Sequence, residues 1–182
     1  MSSTGNCFPL VSDFYSVYDQ FDSSMQKCVA HLLRELKQTI EKHPRLERHE
    51  FFVTCRELFQ SMLRLKKKQN TQEPAKYAKR VKQYEQELKN LSERIWPDAD
   101  ATRLGKRLKK HLSSLTTFLH KKGVDPTNNA AGRAIRPAVV MRKITGGSRS
   151  ASGAKAFAVL SSIVRTATQQ GRDVLETIKR NL

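Results

Sequence analysis

The stretch CFPLVSDFYSVYDQF, residues 7–21, decides how the rest of the chain is read. Phe8, Leu10 and Val11 form a β-strand pattern that runs into Asp13, and Tyr15, Tyr18 and Phe21 follow at the spacing of a turn or short helix. Pro9 confines such a strand to a sheet edge or to the strand's first residues. From here the apolar period switches to helical. Met25, Val29, Leu32, Leu33, Leu36 and Ile40 make one stripe, ended by Pro44. Phe51, Phe52, Cys55, Leu58, Phe59 and Met62 make a second, closed by Lys66–Lys67–Lys68. After the turn NTQEP, Tyr77, Val81, Tyr84, Leu88, Leu91 and Ile95 make a third, and Leu104, Leu108, Leu112, Leu115 and Leu119 a fourth that stops near Gly123.

One strand followed by helices leaves its backbone groups without partners in the chain, because a lone strand cannot satisfy them. The expected fold is therefore mostly α with one or two short strands, reading as the end of an α/β sheet that lies mostly upstream. By this reading the sequence starts in the middle of a domain.

With 182 residues the chain is long enough to bury a core, at 38% hydrophobic and 28% charged. No apolar run approaches a membrane span, and residues 1–6 have neither the basic residue nor the apolar segment of a signal peptide. Cys7, Cys28 and Cys55 cannot all pair and lack Cys-x-x-Cys spacing, which makes a reduced, cytoplasmic setting the default. The net charge of +17 is unevenly spread. Residues 1–65 hold 8 basic and 8 acidic side chains, residues 66–122 hold 16 and 6, and residues 123–182 hold 10 and 3. Basic charge from Lys66 onward admits a polyanion partner or a solubilising surface. The arginines of the last third favour phosphate, with nucleic acid ahead of membrane because no Trp/Phe-rich amphipathic stripe accompanies them.

DPTNNAAGRAIRPAVVMRK, residues 125–143, reads as a helix start, with Thr127 and Asn128 as cap candidates and Arg133 and Arg136 one turn apart. Gly132 interrupts it at a cost of about 1 kcal/mol against alanine, so it needs a reason. Pro137 is expected to end the helix and leave Ala138 to Met141 extended. GGSRSASG, residues 146–153, is a loop with one arginine, Arg149. Phe157, Leu160, Ile163, Val164 and Ala167 form a further helix that Gly171 can end, and Asp173 can cap a last short one.

Residues 126–182, with Asn128-Asn129-Ala130-Ala131-Gly132-Arg133-Ala134-Ile135-Arg136 and a helix ending QQG, resemble the C-terminal end of insertion-sequence-66 family DDE transposases. That family typically carries Asn-Asn-x-Ala-Glu-Arg-x-x-Arg there. Residues 10–36, LVSDFYSVYDQF and then CVAHLLREL, resemble its second catalytic aspartate segment and its Cys-x-x-His pair, while residues 45–122 resemble its helical insertion only loosely.

The resemblance implies an RNase H-like core in which three carboxylates hold two Mg²⁺ or Mn²⁺ ions, the arrangement that activates a nucleophile and neutralises a leaving phosphate oxygen. Carried over by position, Asp13 matches the second aspartate and the divalent-metal ligand, although a plain turn residue reads the same way. Gly132 stands where the family has glutamate, and the first aspartate has no counterpart. The chain is thus expected to be a truncated transposase, 1–44 being the sheet end and first helix, 45–122 the basic insertion and 123–182 the C-terminal segment. It is expected to be catalytically inactive by itself, with no metal bound. Arg133, Arg136, Arg142, Lys143 and Arg149 are expected to grip DNA, their alternative being a solvated basic face. Cys28 and His31, one turn apart, suit two zinc ligands or a structural role. His111, His120 and Lys106–Lys110 read as a solvated helix face. The implied partners are DNA and either a full-length transposase or a second copy, with no membrane, in the cytoplasm at the nucleoid. A non-enzymatic helical DNA-binding or regulatory protein on this scaffold is the competing expectation.

Overall fold

A computed structural model describes residues 9–20 and 24–181. Residues 1–6, Cys7, Phe8 and Phe21 therefore lie outside the described residues. The chain divides into two compact units, Met1–Asn128 and Asn129–Leu182.

The first unit begins with strand β1 (Leu10–Ser12), a 3-10 turn (Ser16–Gln20) and strand β2 (Met25–Lys27). The strands pair in parallel, Leu10 with Met25, Val11 with Gln26 and Ser12 with Lys27. Backbone bonds from Leu10 to Ser24 (3.0 Å) and from Cys28 to Ser12 (2.7 Å) continue the ladder at both ends. Met25 thus belongs to a strand and not to the first helical stripe, which starts only at Val29. The reason lies in Gln26 and Lys27, two polar residues that fold inward. The Gln26 amide accepts the Phe118 N–H at 2.7 Å. The Lys27 ammonium, 1% exposed, sits 2.8 Å from the Asp19 carboxylate and donates to Ser12 Oγ at 3.3 Å. Hydrogen bonds from Lys27 and Lys110 hold the Asp19 carboxyl down at about 2.

Five α-helices follow: α1 (Val29–Lys42), α2 (Glu50–Lys67), α3 (Pro74–Glu93), α4 (Ala99–Lys110) and α5 (Leu112–His120). Their stripes meet in one core, in which Val29 and Leu32 of α1, Phe51, Phe52 and Phe59 of α2, Leu88 of α3 and Leu104 of α4 are fully buried. Asp98 starts α4 by accepting the Asp100 and Ala101 N–H groups at 2.9 and 3.1 Å. Ile95 departs from the expected stripe, being 93% exposed. Helix α3 ends at Glu93 and Arg94 is extended, so Trp96 enters the core instead, edge-on to Phe51 at 5.4 Å with its indole N–H on the Leu91 carbonyl.

The fourth stripe is two helices and not one. His111 bends the ladder between α4 and α5 (φ −111°, ψ 21°), while its N–H still reaches the Arg107 carbonyl at 3.1 Å. His111 is also no member of a solvated face: it is buried edge-on against Phe14 at 5.5 Å, and that desolvation lowers its pKa. His120 is exposed, 2.6 Å from Glu85.

The second unit consists of α6 (Asn129–Thr145), α7 (Ala151–Gln169) and α8 (Val174–Asn181). Here Pro137 does not end its helix, and residues 138–141 are helical, not extended. A proline inside a helix lacks the N–H that would bond the carbonyl four residues back. That carbonyl belongs to Arg133, and the Arg165 guanidinium of α7 donates to it at 3.4 Å. The Gly/Ser loop shortens to residues 146–150, since Ser150 caps α7 through its hydroxyl. Gly171, at φ +64°, ends α7 in the left-handed conformation that glycine tolerates, and Asp173 caps α8 by accepting the Glu176 N–H at 2.8 Å.

Candidate nucleic-acid interface

Asp13 directly follows β1 and lines a groove of about 550 Å³ between the strand end, α1 and α4. Its carboxylate accepts the Tyr15 N–H at 3.0 Å, so it closes a local turn as well as facing the groove. Glu35 is the second carboxylate there, and it is clasped by two arginines of α4. It accepts Arg103 Nη1 at 2.6 Å and a closer bond from Arg107, whose guanidinium also stands 5.3 Å from the centre of the Phe14 ring. The bond to Glu35 is the main cause that raises the Arg103 pKa. Arg34 and Lys42 line the same groove without a carboxylate partner among the described residues. His31 lines it too, and its Nδ1 is buried with no hydrogen-bond partner among the described residues.

Four cations therefore face two carboxylates already engaged by protein groups. Among the described residues, no group of three or more His, Cys, Asp or Glu side chains is placed to hold a metal ion. Two divalent ions need several free oxygen ligands, so the side chains gathered around Asp13 do not fit such a pair, and they suit an anion better. Cys28 is fully buried, and its sulfur accepts the Asn128 N–H at 3.3 Å. The burial pulls it into packing at the base of α1.

The remaining expected residues lie in the second unit. Arg133, Arg136, Arg142, Lys143 and Arg149 are all exposed. Helical geometry puts Arg133, Arg136 and Lys143 on one face of α6. Arg142 lies on the opposite face and lines a groove of about 460 Å³ with Ile135, Val139 and Phe157. None of the five has a carboxylate partner among the described residues. At Gly132 an added Cβ would meet nothing within 4 Å, and the residue keeps an ordinary helical φ. Neither space nor backbone demands glycine there.

The sequence pattern puts Asp13 directly after a strand, where the structure has it, but carries no sign of the groove around it. The Glu35 clasp joins residues 68 and 72 positions apart, a separation that carries no local periodicity. The groove's α1 members, His31, Arg34, Glu35, Gln38 and Lys42, lie on the side of that helix away from the apolar stripe, so in the sequence they read as an ordinary solvated face.

No helix among the described residues is long and apolar enough to cross a membrane. No curated protein and no solved structure matches the sequence significantly. The sequence model described as Transposase IS66 family does match, over residues 5–156. That match spans both strands, the Asp13 groove and the whole of α6 with its basic face. On that breadth of agreement, the chain belongs to the IS66 family of transposases.

Proposed function

We propose that this chain binds DNA in IS66-type transposition and that, acting by itself, it neither cuts nor joins strands. Helix α6 carries both halves of that reading. Its Arg133, Arg136 and Lys143 form an exposed basic stripe with no carboxylate partner among the described residues, suited to charge-assisted bonds with phosphate oxygens. The same helix has Gly132 at the position where the family motif has glutamate, in open space that would admit that side chain. Loss of a metal-holding carboxylate by substitution accounts for a glycine that the fold does not require. The parallel β1–β2 pair with Asp13 at its end supports an RNase H-like reading of the first unit.

The test is fluorescence anisotropy on a terminal inverted-repeat duplex, together with a nicking assay in Mg²⁺ or Mn²⁺. Binding is expected to weaken steeply with salt. The Arg133→Gln/Arg136→Gln/Lys143→Gln variant is expected to flatten the slope of log K against log salt by up to about 2.7, at about 0.9 per phosphate contact. No nicked product is expected. Salt-independent affinity overturns the binding half, and vigorous metal-dependent nicking overturns the inactive half.

A further inference from the structure

A second groove, of about 530 Å³, runs between α2 and α3 on the first unit. Arg64 and Lys68 border it from the α2 side, and Lys76 and Arg80 from the α3 side. All four are exposed, and none has a carboxylate partner among the described residues. Among the described residues no acid lines the groove; its other polar lining comes from Ser61, Thr71, Gln72 and Tyr84. Arg64 is steadied by the Ser61 hydroxyl at 3.0 Å. Each pair stands four residues apart, about 6 Å along the axis at the backbone. Lys76 and Arg80 sit in the first two turns of α3, where like-charge spacing and the positive helix end both disfavour them. An anion in the furrow would relieve that pair above all, while Arg64 and Lys68 face it from the C-terminal end of α2.

The neighbouring Lys66 shows what a cation engaged by the fold looks like. Its ammonium bonds the Phe118 and Lys121 carbonyls at 2.5 and 2.9 Å, closing the C-terminal end of α5, and burial lowers its pKa. The four groove cations have no such task. In the Asp13 groove, by contrast, Glu35 already neutralises two arginines.

We infer that the α2–α3 groove is a separate binding site for the sugar-phosphate backbone of duplex DNA, with Arg64, Lys68, Lys76 and Arg80 each meeting phosphate oxygens. An acidic membrane is the poorer partner, because no large apolar side chain of α2 or α3 is exposed to anchor it. The inference rests on the chain binding DNA, and it adds a surface remote in sequence from α6.

The experiment uses the whole 182-residue chain with a mixed-sequence duplex in a salt titration. The variant Arg64→Gln/Lys68→Gln/Lys76→Gln/Arg80→Gln is compared with Arg48→Gln/Lys89→Gln/Lys106→Gln/Lys109→Gln, which removes equal charge from exposed positions outside the groove. The groove variant is expected to flatten the slope by about three to four and the control by less than about one. On the unaltered chain, DNA is expected to protect Lys68 and Lys76 from amine acetylation and to leave Lys89 and Lys106 reactive. Equal slopes for the two variants, with no protection at Lys68 and Lys76, overturn this site while leaving DNA binding intact. Failure of the unaltered chain to bind duplex overturns both. Protection by phosphatidylserine vesicles without protection by duplex assigns the groove to membrane and overturns it as well.

Discussion

The first unit covers most of its large apolar side chains and the second displays most of its own. Phe51, Phe52, Phe59 and Phe118 have no exposed surface, whereas Ile135, Ile144 and Leu175 are 60%, 75% and 70% exposed. Both units show helical apolar stripes in the sequence. The difference lies in what stands opposite each stripe. Helices α1 to α5 close on one another around a common core, while α6 and α7 share one shallow groove and bury, among their described residues, only Ala167. Period sets a face, and the neighbouring elements decide whether that face leaves water.

The sharpest way to break this comparison is to truncate one side chain on each side of it. Phe59→Ala is expected to cost about 3–5 kcal/mol in a urea melt, by lost transfer energy plus the cavity left behind. Leu160→Ala, on a side chain 40% exposed, is expected to cost under about 1 kcal/mol. Equal costs would mean that the second unit is packed as tightly as the first.

The next largest effect concerns charge inside the first unit. Asp19→Ala leaves the Lys27 ammonium buried without its carboxylate, at an expected cost of about 3 kcal/mol. The pH dependence fixes the sign. Lys27 and Lys110 lower the Asp19 carboxyl from 3.8 to about 2, so the folded state holds its proton less readily than the unfolded chain. The resulting stability is complete above about pH 4 and is lost as pH falls toward about 2. Stability measured across that window should decline in the native chain and decline less in Asp19→Ala. An identical slope in both would remove Asp19 from the account.

The smallest effect tests α6. Gly132→Ala should raise the stability of that helix by about 1 kcal/mol, read as slower amide exchange around residue 132, because the added methyl enters open space. A faster exchange would show that glycine is structurally required there, and the reading of a replaced glutamate would lose its support.

Much of the helical architecture was legible because the stripes of α1 and α2 keep their period up to a proline and a lysine run, and the joint stripe of α4 and α5 keeps its period up to a glycine. The place of Asp13 directly after a strand was legible for a different reason: a short β pattern runs straight into it. Strand β2 was hidden because Gln26 and Lys27 are polar residues held inside by partners at Phe118 and Asp19. The break at His111 carries no helix-breaking residue at all. The two cation-lined grooves of the first unit were invisible, since they are assembled from helices whose order in space no local pattern states.

Pro137 turns a deficiency into a fastening. The hydrogen it withholds leaves the Arg133 oxygen vacant in α6, and Arg165 from α7 takes that place. Which point of α7 lies alongside α6 is thus specified partly by a missing proton, so a change at 137 would be registered at a side chain 28 residues away in the next helix.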